Sequence, residues 1–208
     1  MLHRGSYSSG VLAVAATVTA LLVWPAAGEA QLGGTLPGGI LPGTTTVLAD
    51  TGTLPAGTSD ALQASQLTGG VGSLLTGEVL HAVTIGYPDQ IDSEASLATL
   101  TLSVAGTSIG ADAVMARAMA VAGGGVGISS IDNLSIDGVP VPVTGDPNQT
   151  VGIPGGVLMI NEQQVSGDGT TVVNALHAIV DGVADVVVAS ATAGASGGNA
   201  KAAQATTF

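Results

Sequence analysis

From Gly72 onward the chain is a succession of short runs in which apolar residues alternate with polar or small ones, cut at close intervals by Gly, Asp, Asn and Pro. Leu100, Leu102 and Val104 alternate with Thr99, Thr101 and Ser103, and residues 79–85 repeat the pattern. A period of two sends successive side chains to opposite faces, so each run reads as a strand with one face buried. Further strands are expected over residues 112–121, 126–136, 139–143, 157–163, 170–180 and 183–191. The Ala and Met content of residues 112–121 also suits a helix, but the bracketing Gly110 and Gly123-Gly124-Gly125 favour a strand. Asp137-Gly138 and Asp168-Gly169 supply hairpin-type turns, because Gly accepts positive φ without a Cβ clash. Closely spaced strands with few helical stretches between them predict an all-β fold. The expected architecture is an antiparallel β-sandwich or jelly-roll-like domain over residues 72–193, enough chain for one two-layer core.

The residues available to fill that core are unusual. The chain of 208 residues has no Cys, and only Tyr87 and Phe208 are aromatic beyond residue 30. Its interior must therefore be built from Val, Ile, Leu, Ala and Met, whose branched members favour strands. Without Cys there is no disulfide, no thiol nucleophile and no thiolate metal site. The scarcity of aromatic platforms argues against sugar stacking, and with it against a lectin or a glycosidase.

The two ends read differently from the middle. Met1-Leu2-His3-Arg4, an apolar stretch from Val11 to Trp24, and the small residues of Pro25-Ala26-Ala27-Gly28-Glu29-Ala30 have the form of a secretory signal, a signal helix over residues 1–30. Cleavage is expected after Gly28 or Ala30, giving a secreted or extracellular product. No later segment is long and apolar enough to span a membrane as a helix. Residues 31–71 repeat Gly34-Thr35-Leu36-Pro37-Gly38, Gly39-Ile40-Leu41-Pro42-Gly43 and Gly52-Thr53-Leu54-Pro55-Ala56, which predicts a flexible leader with one short helix over residues 60–67. The Gly/Ala/Ser/Thr-rich residues 194–208 are expected to form a disordered tail.

Charge narrows the partners. Beyond residue 30 the only cations besides His are Arg117 and Lys201, against fourteen carboxylates. Nucleic-acid or anionic-lipid binding, which rests on neutralising phosphate, is not expected. Divalent cations are electrostatically easier, and Asp89, Asp92 and Glu94 after Tyr87-Pro88 are the candidate calcium ligands, with Asp132 and Asp137 as a second candidate set. Neither stretch has the spacing of a known calcium loop, and solvated turns are the favoured reading of both.

Few residues suit catalysis. Gly106-Thr107-Ser108-Ile109-Gly110 and Gly194-Ala195-Ser196-Gly197-Gly198 match the letters Gly-x-Ser-x-Gly, but neither lies between a strand and a helix as a nucleophile elbow requires, and Gly123-Gly124-Gly125-Val126-Gly127 lacks the Lys of a phosphate loop. The histidines beyond residue 30, His81 and His177, have no second ligand at metal spacing within their own segments. The richest stretch is Asn161-Glu162-Gln163-Gln164, then Gly167-Asp168-Gly169, then Val173-Asn174-Ala175-Leu176-His177. Polar groups set inside apolar strands cost free energy unless partnered, so they need either backbone partners at a bulge or strand crossing, or a ligand. A hydrolase site around Glu162 and His177 is the catalytic alternative.

On Asn161-Glu162-Gln163 and Val173-Asn174-Ala175-Leu176-His177 the chain resembles the choice-of-anchor P family of exported bacterial proteins. Ala116-Arg117-Ala118, Gly127-Ile128-Ser129-Ser130 and Ile136-Asp137-Gly138-Val139-Pro140-Val141 support it, over residues 75–180 in all. The resemblance implies a secreted or surface-displayed β-rich domain with interchangeable C-terminal anchoring signals and no catalytic residues. This sequence departs from it after Gly197, where no sorting motif, apolar helix or basic terminus is found. The expected function is thus an exported, non-enzymatic structural or interaction module, with a cell-surface or self-associating partner. A calcium-dependent binding module and a secreted hydrolase are the alternatives.

Overall fold

A computed structural model describes residues 48–51, 54, 59–71, 73–121, 124–167, 169–181, 183–196 and 199–207. The expected signal at residues 1–30 lies outside them. Among the described residues there is no helix, and so none long and apolar enough to cross a membrane. The described residues form thirteen strands: β1 Ala49–Asp50, β2 Asp60–Val71, β3 Leu75–Gly86, β4 Gln90–Val104, β5 Thr107–Val121, β6 Gly124–Asp132, β7 Ser135–Ile136, β8 Val139–Pro140, β9 Gln149–Ile153, β10 Gly156–Val165, β11 Thr171–Val180, β12 Ala184–Ser196 and β13 Asn199–Thr207.

They form two antiparallel sheets. One runs β2-β3-β4-β5-β7-β8, with β6 also paired to β5, and the other runs β1-β13-β12-β11-β10-β9. Each sheet is essentially a meander from one half of the chain, and β1 alone crosses to the far edge of the second sheet. β12 lies over β4 and β5, β11 over β5 and β6, and β13 over β3 and β4. The result is the sandwich form of the expected architecture, with sheets packed face to face.

The core lies between them, and it is aliphatic. Leu80, Ile91, Leu102, Ile109 and Val114 of the first sheet meet Leu158, Ile160, Val173, Leu176 and Val188 of the second. Many inward positions are Ala, including Ala116, Ala118 and Ala120 on β5 and Ala189, Ala191 and Ala193 on β12. Short side chains let the two layers interlock without aromatic filler. On β4 the expected Leu100, Leu102 and Val104 point inward, whereas on β3 the buried set is Leu80, Ala82 and Thr84.

Two glycines of β6 serve this packing. A Cβ on Gly127 would stand 2.3 Å from Val173 Cγ2, and one on Gly125 would stand 2.1 Å from Thr171 Oγ1. Their missing side chains let β6 lean on β11, and Gly124 and Gly125 of the bracketing glycine run lie within that strand. Asp137 and Gly138, both at positive φ, form the expected two-residue turn between β7 and β8.

Three expectations need correction. Residues 60–67 form the start of β2 and not a helix, since their alternating half-buried Leu62, Ala64 and Gln66 pair with β3 in unbroken register. With β1 also paired to β13, strands are present before residue 72, and residues 31–47 of the expected leader lie outside the described residues. Residues 199–207 extend the second sheet as β13, pairing with both β12 and β1. Ladder bonds come from the backbone, so a run of mostly Ala and Thr needs no large apolar residue to join a sheet. The run at 126–136 is two strands, interrupted at Asn133, which has positive φ, and the buried Leu134.

Both sheets are kinked across their width. Val79 and Thr99 in the first, and Asn161 and Ala189 in the second, have φ between 50° and 55°. In the second sheet the kink row passes through β10, β11 and β12, where the ladder skips Asn161 opposite Ala175 and Ala175 opposite Ala189. At this row neighbouring residues along each strand are buried together: Ile160-Asn161 on β10, with Glu162 following at 8% exposure, Ala175-Leu176 on β11 and Val188-Ala189 on β12. The inward–outward alternation therefore changes phase there.

Candidate functional site

The phase change creates a dense polar cluster on the outer face of the second sheet. In a regular strand Asn174 and His177, three apart, would point to opposite faces. With Ala175 and Leu176 both turned into the core, both polar residues emerge on the outside. On β12 the same device puts Asp185 and Ser190, five apart, on one face, and on β10 it turns Glu162 outward beside them.

Glu162 stands directly opposite Asn174 in the β10–β11 ladder. Asn174 Nδ2 donates to Glu162 Oε2 at 2.6 Å, and Gln164 Nε2 donates to Oε1 at 3.2 Å. His177 Nδ1 lies 2.8 Å from Glu162 Oε2, and its Nε2 lies 2.6 Å from Asp185 Oδ1. Ser190 Oγ donates to Asn174 Oδ1 at 2.7 Å. The imidazole is thus clamped between carboxylates from the strands on either side of its own. With both carboxylates ionised, both ring nitrogens donate only when the ring is protonated.

Burial pushes the Glu162 carboxyl up, but the Asn174 hydrogen bond, the charge of His177 and the bonds from His177 and Gln164 outweigh it. They hold the group below its ordinary value of 4.5. The carboxylate form is accordingly the one the cluster is built around.

A second, adjoining set is organised around the backbone. Asn161 Nδ2 donates to the Gly145 carbonyl at 3.0 Å, and Gln163 Nε2 donates to Asn161 Oδ1 and to the Gly127 carbonyl of β6, each at 2.9 Å. Asn148 Oδ1 accepts from Gln163 N at 2.9 Å. Asn161 and Gln163 thereby tie β10 to the loop before β9 and to the opposite sheet. Asn is suited to the kink position because its short polar side chain tolerates positive φ.

The structure brings Asn174, Glu162 and His177 together and sends Asn161 and Gln163 to backbone partners. Asp185 and Ser190 escaped sequence reasoning, since strand pairing beyond the local hairpin sets them there. The one available signal was a lone carboxylate opening the apolar run Val186-Val187-Val188.

The calcium candidates are arranged otherwise. Asp89 lies exposed in the turn before β4, while Asp92 and Glu94 share the outer face of that strand. Asp92 accepts from Gln90 Nε2 at 2.9 Å and from the Arg117 guanidinium at 3.3 Å, and Glu94 stands opposite Arg117 in the ladder. Asp137 Oδ1 accepts from Ser108 N, and Asp132 sits exposed at the end of β6. His81 Nδ1 is 2.9 Å from Ser65 Oγ, its partner across the β2–β3 ladder in the first sheet, away from His177 in the second. Among the described residues no three His, Asp or Glu are grouped to hold a metal ion.

A cleft of about 520 Å³ opens elsewhere, on the first sheet, with Gln66, Thr68, Glu78, Thr99 and Thr101 on its walls. It contains none of the clustered residues. Comparison with family models, with curated proteins and with solved structures gave no match.

Proposed function

We propose that this chain is an exported, non-enzymatic bacterial protein whose β-sandwich serves as an extracellular structural or interaction module. The observation that carries the non-enzymatic part is the saturation of the polar cluster. Both ring nitrogens of His177 and both oxygens of Glu162 have partners within the cluster, and the Ser190 hydroxyl is directed to Asn174 and not to the imidazole. A general base needs a free acceptor within reach of the proton it removes. Here the groups brace three adjacent strands at the row where the ladder is interrupted.

Export is supported by the basic, apolar and small-residue succession over residues 1–30. The likeness of the Asn-Glu-Gln and Asn-Ala-Leu-His segments to the choice-of-anchor P family supports surface display or secretion. The test is expression of the full chain in a bacterial host, followed by fractionation and intact mass. The expected product lies outside the cytoplasm and begins after Gly28 or Ala30. A cytoplasmic chain retaining Met1 would contradict export. A hydrolytic activity lost in both Glu162→Gln and His177→Ala, with the fold retained, would contradict the non-enzymatic reading.

A further inference from the structure

The chain passes from the first sheet to the second through residues 141–148, between β8 and β9. Strands β2 to β8 precede this segment, and β9 to β13 follow it. Near its end stands Asp146-Pro147, the one Asp-Pro pair in the chain. That dipeptide has a chemistry of its own. An Asp carboxyl reaches its own main-chain carbonyl carbon through a five-membered ring, and a carboxyl is a competent nucleophile toward carbonyl carbon. The bond to Pro is a tertiary amide, so its nitrogen departs as a basic secondary amine.

The structure presents this pair to solvent and holds the chain on both sides of it. Residues 144–148 are all exposed, and Gly145 at φ 83° and Asn148 at φ 60° turn the backbone before and after the pair. One buried residue grips both flanks. Asn161 Nδ2 donates to the Gly145 carbonyl at 3.0 Å, and Asn148 N donates to the Asn161 carbonyl at 2.8 Å. Upstream, Thr144 N donates to Gln149 Oε1 at 2.9 Å, and Asp146 N donates to Thr144 Oγ1 at 3.2 Å. The side chains that hold the segment, Gln149 and Asn161, carry no charge. The Asp146 carboxyl itself takes no hydrogen bond or ion pair among the described residues, which leaves it free to turn on its own carbonyl.

We propose that Asp146–Pro147 is a self-cleavage site, at which the chain opens into two pieces that remain one sandwich. An oxygen of the protonated Asp146 carboxyl bonds to the Asp146 carbonyl carbon, the bond from that carbon to Pro147 N breaks, and the carboxyl proton passes to the leaving nitrogen. One water then opens the cyclic anhydride to the two carboxyls of a C-terminal Asp146. The sum is hydrolysis of one peptide bond without a cofactor, and because it uses the carboxyl proton it runs in acid. No strand is cut, since β8 ends at Pro140 and β9 begins at Gln149. Asn161 keeps hold of both new ends, one at Gly145 and the other at Asn148. The pieces stay joined by the aliphatic core between the sheets and by β1 of the first piece, which pairs with β13 of the second. The event is a single turnover on the chain itself, so it requires the fold alone and depends neither on export nor on the absence of enzymatic activity.

The test is incubation of the purified protein at the most acid pH that leaves its β circular dichroism intact. Mass spectrometry of the denatured sample should find a piece ending at Asp146 and a piece beginning at Pro147, their masses summing to the parent plus one water. Gel filtration without denaturant should carry both pieces together at the parent's volume. Asp146→Glu keeps the charge but enlarges the ring, and Pro147→Ala removes the tertiary amide. Both positions are exposed, so both variants keep the fold, and each should slow cleavage at least about tenfold. A folded protein that stays uncut would overturn the proposal, whether or not the urea-unfolded chain is cut at the same pH. Equally fast cleavage in Asp146→Glu would overturn it by removing the carboxyl as nucleophile. So would pieces that separate without denaturant.

Discussion

Replacing Glu162 by Ala removes the acceptor on which three side chains converge: Gln164, Asn174 and His177. The side chains of Glu162 and His177 are only 11% and 13% exposed, so water replaces the lost partner poorly. Hydrogen bonds to a charged group contribute about 1.5–3 kcal/mol each, and an orphaned buried donor costs about 1–3 kcal/mol. Because Asn174 and His177 share one oxygen, these terms do not add. A loss of about 2–4 kcal/mol is expected, and about 1–2 kcal/mol for Glu162→Gln, which keeps one carbonyl acceptor. At about 2–4 °C per kcal/mol for a domain of this size, Glu162→Ala should lower Tm by about 4–16 °C at neutral pH. The sign with pH follows from the depressed folded pKa. Its stabilisation is fully present above the unfolded value near 4.5 and is lost as pH falls through the lower folded value. The Tm gap between native and Glu162→Gln proteins should therefore narrow in acid. Thermal circular dichroism across that range is the assay. An unchanged Tm for Glu162→Ala, or a gap equally wide in acid, would refute the bracing role.

Other consequences follow from particular residues. Gly127→Ala puts a methyl 2.3 Å from Val173 Cγ2 and should destabilise by about 1–3 kcal/mol in urea unfolding, whereas Gly124→Ala, which meets open space, should change stability little. Thr99 is an exposed β-branched residue at φ 52°, so Thr99→Gly should raise stability by up to about 1 kcal/mol; a clear loss would mean its backbone is not strained. Arg117→Ala breaks the contact with Asp92, but with the Arg117 side chain 44% exposed the cost should stay under about 1 kcal/mol and shrink further in salt.

The middle of the sandwich was legible because its strands carry a two-residue period with large aliphatic side chains. Leu100, Leu102 and Val104 announce a buried face by themselves. The outer strands did not. β2 mixes Ala, Leu, Gln and Ser in proportions that suit a helix, and β13 is mostly Ala and Thr, so each owes its form to the ladder beside it. The cluster was half legible. The Gly167-Asp168-Gly169 turn suggested the hairpin that sets Glu162 opposite Asn174. His177 joins them only because the alternation changes phase at Ala175-Leu176, and local sequence gives no warning of positive φ at Ala189. Asp185 completes the clamp from a strand whose register is fixed by packing over the whole sheet.

The most direct test of the brace is the coupling energy between Glu162 and His177. Urea unfolding of the native protein, Glu162→Ala, His177→Ala and the double variant closes a thermodynamic cycle that isolates their interaction. A clamp across β10 and β11 predicts a coupling of about 1–3 kcal/mol, with the double variant little worse than either single one. Additive losses, with a coupling near zero, would contradict it.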